Sequence, residues 1–233
     1  MSTPTPTSTP KPARTGSGAR TIAQPANARS RRTRAGLLAA ARAILESDGF
    51  AALTIAAVAE RAAVTRRTVY LHFGTRSELV AALFDWVADT EGLHDSLSRV
   101  FQASDAASAL DEWAAHLARY HPNQLAVDRA VQEVWRHDPD AAAHRERVIG
   151  EKLAVCRRLA ARIQDEGRLA PGWSAESARD MLFALISSDM IEALLADRRW
   201  SRGRLAGHLS LLFRSTLLAG GAEPLGGDRD YTP

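Results

Sequence analysis

From Leu37 to Leu217, apolar residues return at intervals of three and four in one segment after another, and nowhere do they alternate with polar ones as in a half-buried strand. That pattern predicts an all-α protein. Leu37, Ala40, Ala41, Ile44 and Leu45 form the stripe of a first helix, with Thr33 as its N-cap, Gly49 at the left-handed position after its end and Phe50 folded back on its last turn. Thr54 caps a second helix with Ile55, Val58, Ala59 and Ala62 on its inner face. Thr65 caps a third, for which Val64, Val69, Leu71 and Phe73 supply apolar contacts. Thr75 and Glu78 have the T-x-x-E spacing of a capping box and open a fourth helix through Leu79, Leu83, Phe84 and Val87.

The helical period continues over 104–120, with Leu110, Trp113, Ala114 and Leu117 apolar and Pro122 beyond the stop. Asn123 is placed to cap the next helix, through Val127, Val131, Val134 and Trp135. Asp138 followed by Pro139 is an N-cap with proline at the first helical position, and it opens a long helix that ends at Gly167. After the loop Pro171, Gly172, Trp173, Ser174 caps one continuous helix to about Leu195. A last helix carries Leu205, Leu209, Leu212, Phe213 and Leu217, and turn-rich sequence follows from Gly220.

The third helix is short, and Thr65, Arg66, Arg67, Thr68, Tyr70 and His72 gather on the side its apolar residues leave free. A short helix of cations and donors, braced by another helix across a tight turn, places side chains against base edges in a major groove while neighbours hold phosphates. The amides and positive dipole end at Thr65 favour the same partner. Each residue also has a plainer role open to it. Arg66 and Arg67 serve equally as solvated helix residues in a chain that uses arginine almost everywhere. Tyr70 and His72 serve as packing residues, and Thr54 and Arg76 as caps or surface groups.

Thr33 to Phe84 resembles the N-terminal domain of the tetracycline-repressor (TetR) family of bacterial transcriptional regulators. TRAGLLAAARAILESDGF is similar to that family's first helix and glycine stop, TIAAVAERAAV to its second helix and turn, and TRRTVYLHFGTRSELV to its recognition helix and the start of helix four. The resemblance implies an N-terminal three-helix helix-turn-helix DNA-binding bundle and a larger C-terminal helical domain for ligand binding and dimerisation. Its partners would be a double-stranded operator, a second copy of the chain joined through the last two long helices, and an unidentified small-molecule effector. Two recognition helices would then meet a pseudo-palindromic site in major grooves about 34 to 36 Å apart. The DNA-binding residues implied are Arg31, Arg32, Thr54, Thr65, Arg66, Arg67, Thr68, Tyr70, His72 and Arg76. The effector would lie among Trp113, His116, Tyr120, Gln132, Trp135, Met181, Leu185 and Asp189, a mixture of aromatic walls and polar groups that is equally the composition of ordinary core.

Two positions depart from the family, which has glycine where this chain has Ala63 and Arg67. Ala63 costs about 1 kcal/mol if its φ is positive. Arg67 puts a long cation on the surface expected to face DNA, so the operator of a relative does not carry over.

At 233 residues and 45% hydrophobic content, the chain is long enough for one large or two modest domains with a buried core. Its net charge of +3 hides an asymmetry. Lys11, Arg14, Arg20, Arg29, Arg31, Arg32 and Arg34 precede any acid, and the remainder carries 23 cations against 27 acids, a net of −4. A cationic arm on a mildly acidic body suits a polyanionic partner. The expected layout is a disordered basic arm over 1–30, the helix-turn-helix domain over 31–74, the effector-binding and dimerisation domain over 75–219 and a flexible tail over 220–233. The first 28 residues lack apolar periodicity and act either as an arm along the phosphates or minor groove, or as a solvated tail.

Cys156 is the single cysteine and falls on an apolar stripe, which favours a core role over redox sensing and excludes a disulfide within one chain. The seven histidines show no H-E-x-x-H pair, and neither G-x-S-x-G nor a phosphate-cradling glycine loop occurs. No catalytic residue, metal or cofactor is therefore expected. The absence of a secretory h-region or an eighteen-residue apolar run points to a cytoplasmic, nucleoid-associated protein without a membrane span. The reading is a ligand-responsive homodimeric repressor. Its alternatives are an effector-independent or architectural DNA-binding protein, and an enzyme whose N-terminal bundle only resembles a repressor.

Overall fold

The structure, a computed structural model, describes residues 28–220. The expectations for Lys11, Arg14 and Arg20 in the basic arm, and for the tail from residue 221, lie outside the described residues. The helices are α1 (Ala28–Asp48), α2 (Ile55–Arg61), α3 (Arg66–His72), α4 (Arg76–Thr90), α5 (Leu93–Gln102), α6 (Ala106–Tyr120), α7 (Leu125–Val134), α8 (Pro139–Asp165), α9 (Ala175–Ala184), α10 (Ser188–Glu192) and α11 (Arg202–Leu217). The one extended pairing among the described residues is an isolated bridge between Leu169 and Leu218, which ties the turn after α8 to the end of α11.

Most boundaries follow from caps. Thr54, Thr65, Thr75, Asp138 and Ser174 each accept a backbone N–H in the first turn of the helix they precede. Thr33 does not: α1 begins five residues earlier, through arginine and alanine that favour helix, and the Thr33 hydroxyl donates to the Arg29 carbonyl at 3.1 Å. Gly49 has φ +81 with ψ 174, so it is extended in the mirror region instead of left-handed helical, and it leads into a 3-10 turn at Phe50–Ala52 with Phe50 buried. Glu78 accepts from the Gly74 amide at 2.7 Å, one residue before the cap, so the box at Thr75 is not strictly reciprocal. Asn123 does not cap α7. Its amide donates to Glu91 and its oxygen accepts from Arg202, both at 2.9 Å, while a 3-10 turn at His121–Asn123 leads into the helix.

The helix expected from Ser174 to Leu195 is broken. Residues 185–187 leave the helical path, the Ser187 hydroxyl accepts from the Met190 amide at 3.2 Å, and a turn of π-helix at Ala193–Asp197 follows α10. A serine side chain that takes a backbone N–H competes with the helical ladder at that point.

Two hydrophobic cores result among the described residues. The first gathers the inner faces of α1 to α4, but also Val127, Ala130 and Val131 of α7 and Ala141 at the start of α8. The second packs α6 against α11 and α8, with Trp113, Leu117, Leu159, Leu182, Leu209 and Phe213 buried and Cys156 fully enclosed. α8 is the element that contributes to both. No helix among the described residues is long and apolar enough to cross a membrane.

Candidate functional site

The α2–α3 turn is tight because Ala63 takes φ +52, the left-handed conformation in which glycine is at ease and alanine is not. The Thr65 hydroxyl accepts from the Thr68 amide at 3.2 Å and shares a hydrogen bond of 3.0 Å with the Thr68 hydroxyl. α3 is thereby started at a fixed point, and Val69 anchors it to the first core with Phe73 just after its end. Opposite that anchor, Arg66 and Arg67 are exposed and have no ion-pair partner among the described residues. Tyr70 is 55% exposed beside them. Leu71, expected to pack inward, is 76% exposed, because Val69 and Phe73 already occupy the inward arc of so short a helix.

The flanking candidates take different places. Arg31 and Arg32 are exposed in the first turns of α1, and Thr54 is exposed at the start of α2, its hydroxyl accepting from the Ala57 amide at 3.1 Å. His72 is half-buried at the end of α3, where burial and then the neighbouring Arg34 hold its imidazole below its usual pKa. Arg34, read from sequence only as one of the cations ahead of the first acid, donates to the His72 carbonyl at 3.2 Å and lies 4.4 Å from the centre of the Phe73 ring. It binds α1 to the end of α3. Arg76 is turned inward: its guanidinium donates to the Leu53 carbonyl at 2.8 Å and pairs with Asp138 and Asp140 at the start of α8. The side chain expected to clamp a phosphate thus joins α4 to α8.

Two cavities lie behind this unit. One, of about 430 Å³, is a groove between α7, α8 and residues 183–192, and it includes Gln132 and Asp189. The other, of about 120 Å³, lies among α4 to α8 and includes Trp113, His116 and Tyr120. Asp128, His144, Val148 and Lys152 border both. The remaining three effector candidates line neither cavity. Trp135 lies beneath the Arg145 and Arg136 guanidinium groups at 4.3 and 5.2 Å, Met181 is 41% exposed, and Leu185 packs on the second core.

The smaller cavity is walled by ring stacks. Trp113 stacks on His116 at 5.1 Å and His116 on Tyr120 at 5.4 Å, while Phe84 and His144 form a second stack at 3.3 Å. Burial lowers the pKa of His116 to about 4 and that of His144 to about 3, with nearby cations adding to the effect, and His121 also falls well below its usual value. All three imidazoles are neutral at pH 7. The residues that complete this cavity, Phe84, His121, Gln124 and His144, carried no sequence signal beyond membership of a helix or turn. Among the described residues no group of three or more His, Cys, Asp or Glu side chains is placed to hold a metal.

Comparison with known proteins places these features. Residues 37–83 match the family model described as bacterial regulatory proteins, tetR family. The HTH-type transcriptional regulator TtgR of Pseudomonas putida is 35% identical over 108 residues, which are 45% of this chain and 50% of TtgR. The match thus spans about half the length of that relative. Among solved structures, NalD, the secondary repressor of the MexAB-OprM multidrug efflux pump in Pseudomonas aeruginosa, superposes with a TM-score of 0.63 at 22% identity, covering 82% of this chain and 98% of NalD. The fatty acid degradation regulator FadR of Bacillus halodurans superposes with a TM-score of 0.58 at 16% identity, covering 78% and 94%. These two likenesses are of fold.

Proposed function

We propose that this chain, whose residues 37–83 match the family model of tetR bacterial regulatory proteins, is a homodimeric transcriptional repressor that reads a pseudo-palindromic operator through α3 and is released from it by a small-molecule effector. The observation that carries the DNA-reading part is the outer face of α3, where Arg66 and Arg67 stand exposed without a counter-charge among the described residues, on a helix fixed by its cap and by Val69. Thr54, Thr65, Thr68, Tyr70 and His72 surround them, and Arg31 and Arg32 extend the cationic surface along α1. Phosphate contacts from this rim set the register, and the central side chains read bases. The acid-free segment before Arg34 adds non-specific attraction to the duplex.

Release works through a population shift, in which an effector favours the state whose recognition helices are wrongly spaced. α8 supports this reading, because Asp138 and Asp140 hold Arg76 at one end while His144, Val148 and Lys152 border both cavities further along the same helix. Met181 on α9 and Leu212 on α11, each 41% exposed, offer apolar surface for a second copy through the late helices. The protein acts on the nucleoid in the cytoplasm and catalyses no reaction. Selection of bound fragments from the source genome tests the proposal, together with the mass of the protein in solution and on DNA. A preferred, imperfectly symmetric site bound by two chains is expected. A monomer that shows no preference over random competitor DNA at moderate ionic strength overturns it, and a specific binder that no compound releases is an architectural protein instead.

A further inference from the structure

The smaller cavity carries more information than its location. At about 120 Å³ it is close to the engineered apolar cavity of about 150 Å³ that holds a single benzene ring. Its walls are two sets of stacked rings, Trp113 with His116 and Tyr120, and Phe84 with His144. Flat walls of this kind favour a planar ring over a saturated one, since offset stacking adds to area burial.

Three of the lining side chains, Trp113, His121 and Gln124, are almost wholly buried. Each has a nitrogen without a hydrogen-bond partner among the described residues: Nε1, Nδ1 and Nε2 respectively. An indole N–H and an amide NH₂ can only donate, and a buried donor left unpaired is costly. Oxygen acceptors brought in by a guest relieve that cost. Charge does not fit. The charged side chains at this cavity are Asp128 and Glu151 against Arg147 and Lys152, an even balance, and the three imidazoles are neutral. A carboxylate or ammonium would lose its hydration there without a net counter-charge.

We infer that this cavity takes an uncharged, single-ring aromatic molecule bearing a hydrogen-bond-accepting oxygen, such as an aryl ketone, an assignment that rests on the effector-responsive reading above. Calorimetric titration of the full chain with four probes tests it: acetophenone, ethylbenzene, cyclohexyl methyl ketone and benzoate. Acetophenone should saturate one site per chain and bind about tenfold more tightly than each of the other three, as loss of one hydrogen bond or of ring stacking implies. Gln124→Leu should erase most of the preference of acetophenone over ethylbenzene without weakening ethylbenzene. Trp113→Phe, which keeps an aromatic ring and removes the N–H, should act in the same direction, with circular dichroism reporting that each variant is folded.

Equal binding of acetophenone and ethylbenzene by the unaltered protein, preference for benzoate, or no saturable binding of acetophenone overturns the assignment. The effector reading is judged separately. If acetophenone binds as expected but leaves operator affinity unchanged, the ligand class stands and release by this site falls. If operator release is obtained only with molecules of other classes, the converse holds.

Discussion

Nη2 of Arg76 lies 3.0 Å from Oδ2 of Asp138, so the first residue of α4 is bound to the residue that caps α8. Oδ1 of the same carboxylate accepts the amides of Asp140 at 2.9 Å and Ala141 at 3.2 Å. One side chain therefore starts the helix that borders both cavities and holds the helix that follows α3. Desolvation works against the Asp138 carboxylate, but the Arg76 hydrogen bond and the two amides outweigh it and keep its pKa below the ordinary value. A carboxyl depressed in the folded state stabilises fully above its unfolded pKa near ~4, and that contribution is lost as pH falls through the folded value. Asp138→Ala should lower unfolding free energy by about 1 to 2 kcal/mol at pH 7, mostly through the lost cap. Urea titrations of the two proteins should converge as pH falls below about 4.

Arg67→Ala should weaken operator binding by about 1 to 3 kcal/mol and relax preference at one base pair in each half-site, if this guanidinium reads a base. Binding to a panel of single-substitution operators measures both. A uniform loss across the panel would reassign Arg67 to phosphate.

Leu71 leaves 76% of its surface open beside Tyr70, which gives α3 an apolar group on its outer face. The thymine methyl is the matching apolar group in the major groove. Leu71→Ala should leave folding stability within about 0.5 kcal/mol of the parent, as surface substitutions do, yet reduce discrimination for thymine at its position. Chemical denaturation and the same operator panel separate these outcomes.

Ala63 holds a left-handed backbone at φ +52, the conformation that glycine adopts without strain. An L-residue there costs ~1 to 2 kcal/mol, partly offset because alanine restricts the unfolded chain by ~0.4 to 1 kcal/mol more than glycine does. Ala63→Gly should stabilise by roughly 0.5 to 1 kcal/mol, measured by urea midpoint at constant m-value.

Removing residues 1–27 deletes Lys11, Arg14 and Arg20 and no acid. If these three neutralise phosphates in both chains of the proposed dimer, the slope of log affinity against log salt should become shallower by up to about 5. An unchanged slope would leave the segment without a role on DNA.

The elements that were legible in sequence are those whose ends are written in side-chain chemistry. Thr54, Thr65, Asp138 with Pro139, and Ser174 start helices where a hydroxyl or carboxylate in front of an apolar stripe says they should. What escaped depends on partners distant along the chain. Leu185 and Ile186 keep the helical period, so nothing local marks the break that Ser187 makes possible. Leu71 reads as a packing residue by its apolar character alone, but it lies two residues from Val69, about 200° round a helix, and so on the outer face. Arg76 looked like a phosphate clamp because its counter-ions stand 62 and 64 positions away. The cavity was half legible: Trp113, His116 and Tyr120 share one face of α6 at helical spacing, whereas Phe84, Gln124 and His144 reach the same space from three other elements.

The first core contains Val127, Ala130, Val131 and Ala141 together with α1 to α4. A chimera that grafts only residues 28–90 onto the body of another regulator would bring a hydrophobic wall without its own lid, and the recipient's seventh helix would have to fit side chains it never evolved beside. Transplanting operator recognition therefore calls for moving residues 125–141 as well, so that the inherited unit is discontinuous along the gene.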